Sequence, residues 1–170
     1  LPRTRRLRGR VLERQHALIE ADFTANGAPV VHLVYLGDYI DRGPDSFGVV
    51  ERLAEGPSSF VNVTLLRGNH EAMLLRFLED PAVGPGWRQL GGLTTMLSYG
   101  VDVEGALKEG GYPGLAEQFK ARLPARHRTL FAELKPSTTI GDYFFCHAGV
   151  RPGIPLEEQK QQDLLWIRDQ

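Results

Sequence analysis

The sequence predicts a mixed α/β domain, and three segments carry that expectation. Val30 to Leu36 is a nearly unbroken apolar, β-branched and aromatic run that stops at Gly37 and gives way to Asp38, Asp41, Arg42, Gly43 and Pro44. Phe60 to Leu66 is a second such run, ending in Arg67-Gly68-Asn69-His70-Glu71. Each polar turn leads into a helical apolar period, and strand, turn, helix repeated twice is the rhythm of a parallel sheet with right-handed crossovers. Third, Ser137 to Cys146 holds two short β-like runs around Gly141-Asp142, a hairpin signal. Runs this apolar are expected to be strands buried on both faces. The two polar turns then fall together beyond the carboxyl ends of the strands, where open α/β sheets place their ligands.

The remaining elements follow in order. Residues 1–10 carry Arg3, Arg5, Arg6, Arg8 and Arg10 among few apolar residues and are expected to be irregular. From Val11 the apolar positions Val11, Leu12, Leu18, Ile19 and Phe23 recur at three- and four-residue steps, with Glu13, Arg14 and Glu20 facing away, which predicts an amphipathic helix ended by Asn26-Gly27. Phe47, Val49, Val50, Leu53 and Ala54 predict a second helix capped by Asp45 or Ser46, and Ala72 to Leu78 a third. Residues 80–136 are glycine-rich, with short helices expected around Trp87 to Tyr99, Leu115 to Leu123 and Arg126 to Leu134, forming a helical insertion over the site. After the hairpin come a bend at Pro152 and Pro155, a short helix, and Leu164-Leu165-Trp166-Ile167-Arg168.

The chain has 170 residues, which suits a single domain spanning 1–170 with a core of ordinary size. Twenty Lys and Arg against 21 Asp and Glu give a net charge of -1, so nothing global calls for nucleic acid or a membrane surface as a partner. One cysteine, Cys146, leaves no internal disulfide and fits a reducing compartment. With no membrane-length apolar run and no signal-peptide core at the start, the expected location is cytoplasmic.

Asp38, Asn69 and His147 are oxygen and nitrogen donors at three different strand ends, a mixture suited to Mn²⁺, Fe or Zn²⁺. A lone carboxylate can bridge two ions about 3.5–4 Å apart, an arrangement that clamps a phosphoryl group. His70 is then free to act as general acid, Asp41 to fix its tautomer and raise its pKa, and Arg42 to fork onto phosphate oxygens. Plainer roles exist for each residue. Asp and Gly make tight turns unaided, Asn69 can cap its helix, His147 can be an ordinary buried histidine, and Glu71 can be a first-turn acid favouring the helix dipole.

Gly37-Asp38-Tyr39-Ile40-Asp41-Arg42-Gly43, Gly68-Asn69-His70-Glu71 and His147-Ala148-Gly149 together resemble the signature blocks of the phosphoprotein phosphatase branch of calcineurin-like metallophosphoesterases, bacterial serine/threonine phosphatase type. The resemblance spans about Val11 to Arg168. It implies a β-sandwich flanked by helices, two divalent metal ions, manganese first among them, and attack of metal-activated hydroxide on a phosphorylated protein or small phosphoester. By motif it implies Asp38 as bridging ligand, Asn69 and His147 as ligands of the second metal, His70 as general acid with Asp41 as its partner, and Arg42 and Arg168 as phosphate-binding arginines. Where the family has an Asp-x-His-Gly block, this sequence reads Arg6-Leu7-Arg8-Gly9-Arg10, and no Gly-His block follows Arg168. The expectation is therefore a fold without its first strand and C-terminal part, with weak turnover of p-nitrophenyl phosphate by this polypeptide. The alternatives are a symmetrical dinucleoside tetraphosphate hydrolase, a catalytically incomplete phosphate-binding relative, and a phosphate- or RNA-binding module using the Arg-rich start.

Overall fold

The structure, a computed structural model, describes residues 9–27, 30–56 and 62–168. Helix α1 (Gly9–Asn26) leads to strand β1 (His32–Tyr35), helix α2 (Ser46–Glu55), strand β2 (Asn62–Leu65) and helix α3 (Asn69–Glu79). Four helices follow: α4 (Gly84–Leu90), α5 (Gly92–Ser98), α6 (Val103–Arg122) and α7 (Ala125–Glu133). The hairpin β3 (Ser137–Ile140) and β4 (Tyr143–Cys146) and the short α8 (Gln161–Trp166) complete the order. The class is mixed α/β, as expected. Strands β1 and β2 pair in parallel from His32 opposite Asn62 to Tyr35 opposite Leu65, and β3 and β4 pair antiparallel around the two-residue turn Gly141-Asp142. A parallel bridge from Leu66 to Lys135 ties the end of β2 to the chain entering β3.

Two expectations need correction. The strands are not buried on both faces: Val30, Leu36 and Val63 are exposed, and Leu33, Val34 and Tyr35 are half-buried. Helices cover one side of the parallel pair, and the apolar run extends past the paired residues at both ends of β1. Helix α1 also turns a different face inward. It docks through Leu12, His16 and Phe23, with the Tyr35 hydroxyl on His16 Nε2, while Val11 and Leu18 stay about 60% exposed. Helical period alone finds an apolar stripe, but a polar ring with a partner inside can select the neighbouring one. Helix α1 starts at Gly9, within the stretch expected to be irregular. The arginines at positions 3, 5, 6 and 8, and Phe60 and Val61 of the second apolar run, lie outside the described residues.

The core forms where α2, α3 and the helices of residues 84–133 meet. Val50, Leu74, Phe77, Trp87, Leu115, Phe119 and Phe131 are all fully buried there, with aromatic rings in contact along Phe77, Trp87, Phe119 and Tyr99. Helix α2 is started by Asp45, whose side chain accepts the Gly48 N–H at 3.1 Å. The carboxyl ends of β1 and β2 therefore stand on a rigid helical base, and the functional candidates sit on those ends.

Candidate active site

The turns after β1 and β2 touch. Gly37 has φ 99°, and a Cβ on it would overlap the Gly68 backbone, so only glycine lets the two turns meet. Glu71, fully buried in the first turn of α3, joins them. Its Oε2 accepts the N–H groups of Asp38 and Gly68, each at 2.9 Å, and its Oε1 accepts that of Tyr39 at 2.7 Å. Burial pushes the Glu71 carboxyl above the usual range, while the three N–H groups aimed at it favour the ionised form. The Tyr39 hydroxyl adds a second tie, 2.7 Å from the Leu66 carbonyl.

Held this way, the first turn takes an unusual backbone path. Asp38, Asp41 and Arg42 have φ of 58°, 68° and 54°, a region that costs a non-glycine residue about 1–2 kcal/mol and that persists only where surroundings enforce it. The path puts a carboxylate against each ring nitrogen of the buried His70: Asp41 Oδ2 is 2.7 Å from Nδ1 and Asp38 Oδ2 is 3.9 Å from Nε2. The bond from Asp41 raises the His70 pKa; burial opposes the rise, Asp38 adds to it, and the charge of Arg42 nearby works against it.

His147 reaches the same place from the end of β4, its loop anchored by the Ala148 N–H on the Leu164 carbonyl of α8 at 2.8 Å. Its Nδ1 is 2.6 Å from the Leu36 carbonyl. A carbonyl only accepts, so Nδ1 carries a proton and Nε2 is the ring nitrogen that faces the site. Nε2 lies 3.0 Å from Asn69 Oδ1, within hydrogen-bond reach, and 3.4 Å from Asp38 Oδ1. Asn69 does not cap α3; Gly68 is the cap and Asn69 is the first helical residue, which frees its amide. Side chains from three strand ends thus converge, and each carries an oxygen or nitrogen able to ligate a cation. This set of one carboxylate, one amide and one imidazole fits a single divalent ion with open positions. Among the described residues no group of three or more His, Cys, Asp and Glu is arranged to hold a metal ion, so such a set depends on Asn69 as a donor.

Arg42 is exposed at the rim, beside His70. Arg168 is exposed just beyond α8, and no hydrogen bond of the cluster reaches it. Glu71, expected to act mainly on the helix dipole, instead ties the two turns. Trp87 and Thr95 carry no sequence signal for the site, yet both donate to the Asp41 carboxylate, at 2.8 and 2.6 Å. They lie 46 and 54 residues from it along the chain, beyond the reach of any local pattern.

The model of the calcineurin-like phosphoesterase family matches residues 12–169, nearly the whole chain. The chain belongs to the calcineurin-like phosphoesterases. No curated protein matches it. Among the described residues of this phosphoesterase no helix is long and apolar enough to cross a membrane. A cavity of about 780 Å³ between α2, β2 and α7 shares no lining residue with the cluster, where the Asp38 side chain is 38% exposed. Oxygen and nitrogen donors beside a buried histidine and an exposed guanidinium are groups from which a phosphoester-hydrolysing site can be built.

Proposed function

We propose that this calcineurin-like phosphoesterase is a metal-dependent serine/threonine protein phosphatase of the cytoplasm. The observation that carries the proposal is the convergence of the Asp38, Asn69 and His147 side chains beside a histidine whose far nitrogen is tied to Asp41. Asp38, Asn69 and His147 would hold a divalent ion, with manganese the first candidate and a second ion sharing Asp38. Such ions supply Lewis-acid polarisation of the phosphoryl group and a nucleophile at neutral pH. The chain supplies the rest. His70, with Nδ1–H donated to Asp41, turns Nε2 toward the open side near Asp38, where it can hand a proton to the departing serine or threonine oxygen. Arg42 presents its guanidinium at the rim for the phosphate, and Arg168 is the candidate for a second arm. The exposed Asp38 side chain leaves the cluster open to a phosphorylated side chain on a protein surface.

Calorimetric titration with Mn²⁺ is expected to show binding that weakens at least tenfold in His147→Ala and in Asn69→Ala, while unchanged affinity in both would refute the donor set. With Mn²⁺ present, slow hydrolysis of a phosphothreonine peptide is expected. Arg42→Ala should lower its kcat/KM about 30-fold, as for loss of a charged hydrogen bond of about 2 kcal/mol. Preference for diadenosine tetraphosphate over the peptide would replace the protein phosphatase assignment with the dinucleotide hydrolase one. Metal binding without hydrolysis of either substrate would favour the phosphate-binding relative.

A further inference from the structure

The helices after α3 do more than fill the core. The elbow between α4 and α5 lies directly against the Asp41-Arg42 turn: Gly91 has φ 102°, and a Cβ on it would stand 2.9 Å from the Arg42 backbone nitrogen. A Cβ on Gly92 would overlap the Trp87 indole. The glycine pair therefore lets one elbow press on the turn while the indole packs flat beneath it. Trp87 and Thr95 are both fully buried.

What this elbow delivers is two donors to one carboxylate. Asp41 Oδ2 accepts the Trp87 indole N–H at 2.8 Å as well as His70 Nδ1–H, and Oδ1 accepts the Thr95 hydroxyl at 2.6 Å. The Thr95 oxygen in turn accepts the Asp41 backbone N–H at 2.9 Å. Its single proton is spent on Asp41, so the 3.1 Å bond between Thr95 and Ser46 is donated by Ser46. The Thr95 and Ser46 hydroxyl protons then each have one destination, the Asp41 N–H is shared between the Thr95 and Ser46 oxygens at 2.9 and 3.2 Å, and the carboxylate is held at both of its oxygens. Without Trp87 and Thr95 the carboxylate would keep the His70 bond on Oδ2 and have no side-chain donor on Oδ1 to fix its plane.

We propose that Trp87 and Thr95 are positioning residues: by fixing the Asp41 carboxylate from below, they set the direction in which the His70 imidazole faces the site. The proposal rests on the reading of His70 as proton donor only for its catalytic meaning; the geometry it asserts is measurable without turnover. The test is proton NMR of the full ¹⁵N-labelled chain, following the downfield His70 Nδ1–H signal, assigned by its loss in His70→Asn. Trp87→Phe and the near-isosteric Thr95→Val are each expected to move that signal upfield or broaden it away, and Thr95→Ser, which keeps the hydroxyl, to leave it at the wild-type position. Folded Trp87→Phe and Thr95→Val proteins with the signal unmoved would overturn the proposal and leave both residues a packing role alone. Should either variant unfold, Thr95→Ser decides: an unmoved signal supports the proposal and a displaced one refutes it. An inactive wild-type protein whose signal behaves as expected would remove the phosphatase assignment and keep the positioning.

Discussion

A single carboxylate settles how two distant turns become one site. Glu71 reads in the sequence as a first-turn acid, and it does occupy the first turn of α3, but its two oxygens are fully used by three backbone N–H groups from both sides. Glu71→Gln keeps the shape and turns an NH2 toward at least one of those donors, leaving it buried and unpaired. The expected cost is about 2–3 kcal/mol in urea unfolding at neutral pH. Loss of Mn²⁺ affinity should accompany it, because Asp38 is positioned by its own N–H on this residue. A cost below 0.5 kcal/mol would mean that the turns hold their path without the clamp. At this scale the sequence was legible where chemistry is local. Gly37 to Gly43 and Gly68 to Glu71 announce polar turns at strand ends, and the turns are there. The partners of Asp41 were not legible, since Trp87 and Thr95 become its neighbours only through packing.

Between elements, a buried histidine links α2 to α7. His127 is fully buried; its Nε2–H donates to Glu51 at 2.8 Å and its Nδ1 accepts the Tyr99 hydroxyl at 2.8 Å. Both ring nitrogens are satisfied in the neutral form. Burial, helped by the charge of Arg126, pulls its pKa from 6.5 down to about 4, against the attraction of the Glu51 carboxylate. The folded state therefore refuses a proton that the unfolded chain takes up below pH 6.5. The stability this histidine contributes is complete above pH 6.5, falls as the pH drops, and is gone near pH 4. Urea melts across that interval should show a loss on the order of 2–3 kcal/mol that is absent in His127→Gln. A pH-independent difference between the two proteins would show that the ring is already charged in the fold. The helices were largely legible, from the Asp45 cap to the positions of α4, α5 and α7, because period and punctuation are written locally. Strand exposure was not, because the same apolar run serves a covered or an open sheet, and only the neighbouring elements decide which.

For the molecule as a whole, the site is assembled from ends: β1, β2 and β4 each deliver one donor, so an ion bound there bridges parts of the chain 31 to 78 residues apart, from Asp38 to Asn69 and from Asn69 to His147. Binding to the folded state alone must raise its stability. At Mn²⁺ one hundred times the dissociation constant the gain is about 2.7 kcal/mol, or roughly 5–10 °C in Tm for a domain of this size. A thermal melt with and without Mn²⁺ should show that shift in the wild type and not in His147→Ala; equal shifts in both would put the ion elsewhere. The family was legible in three short blocks at the strand ends, whereas the helical base beneath them carries no comparable signature. That base also contains an optical reporter. The chain has two tryptophans, and Trp87, sealed from water with its indole N–H on Asp41, contrasts with the half-buried Trp166. With Trp166 replaced by phenylalanine, the remaining fluorescence would come from a ring one hydrogen bond away from the histidine dyad, so its emission colour and lifetime would register events at the site without any added label.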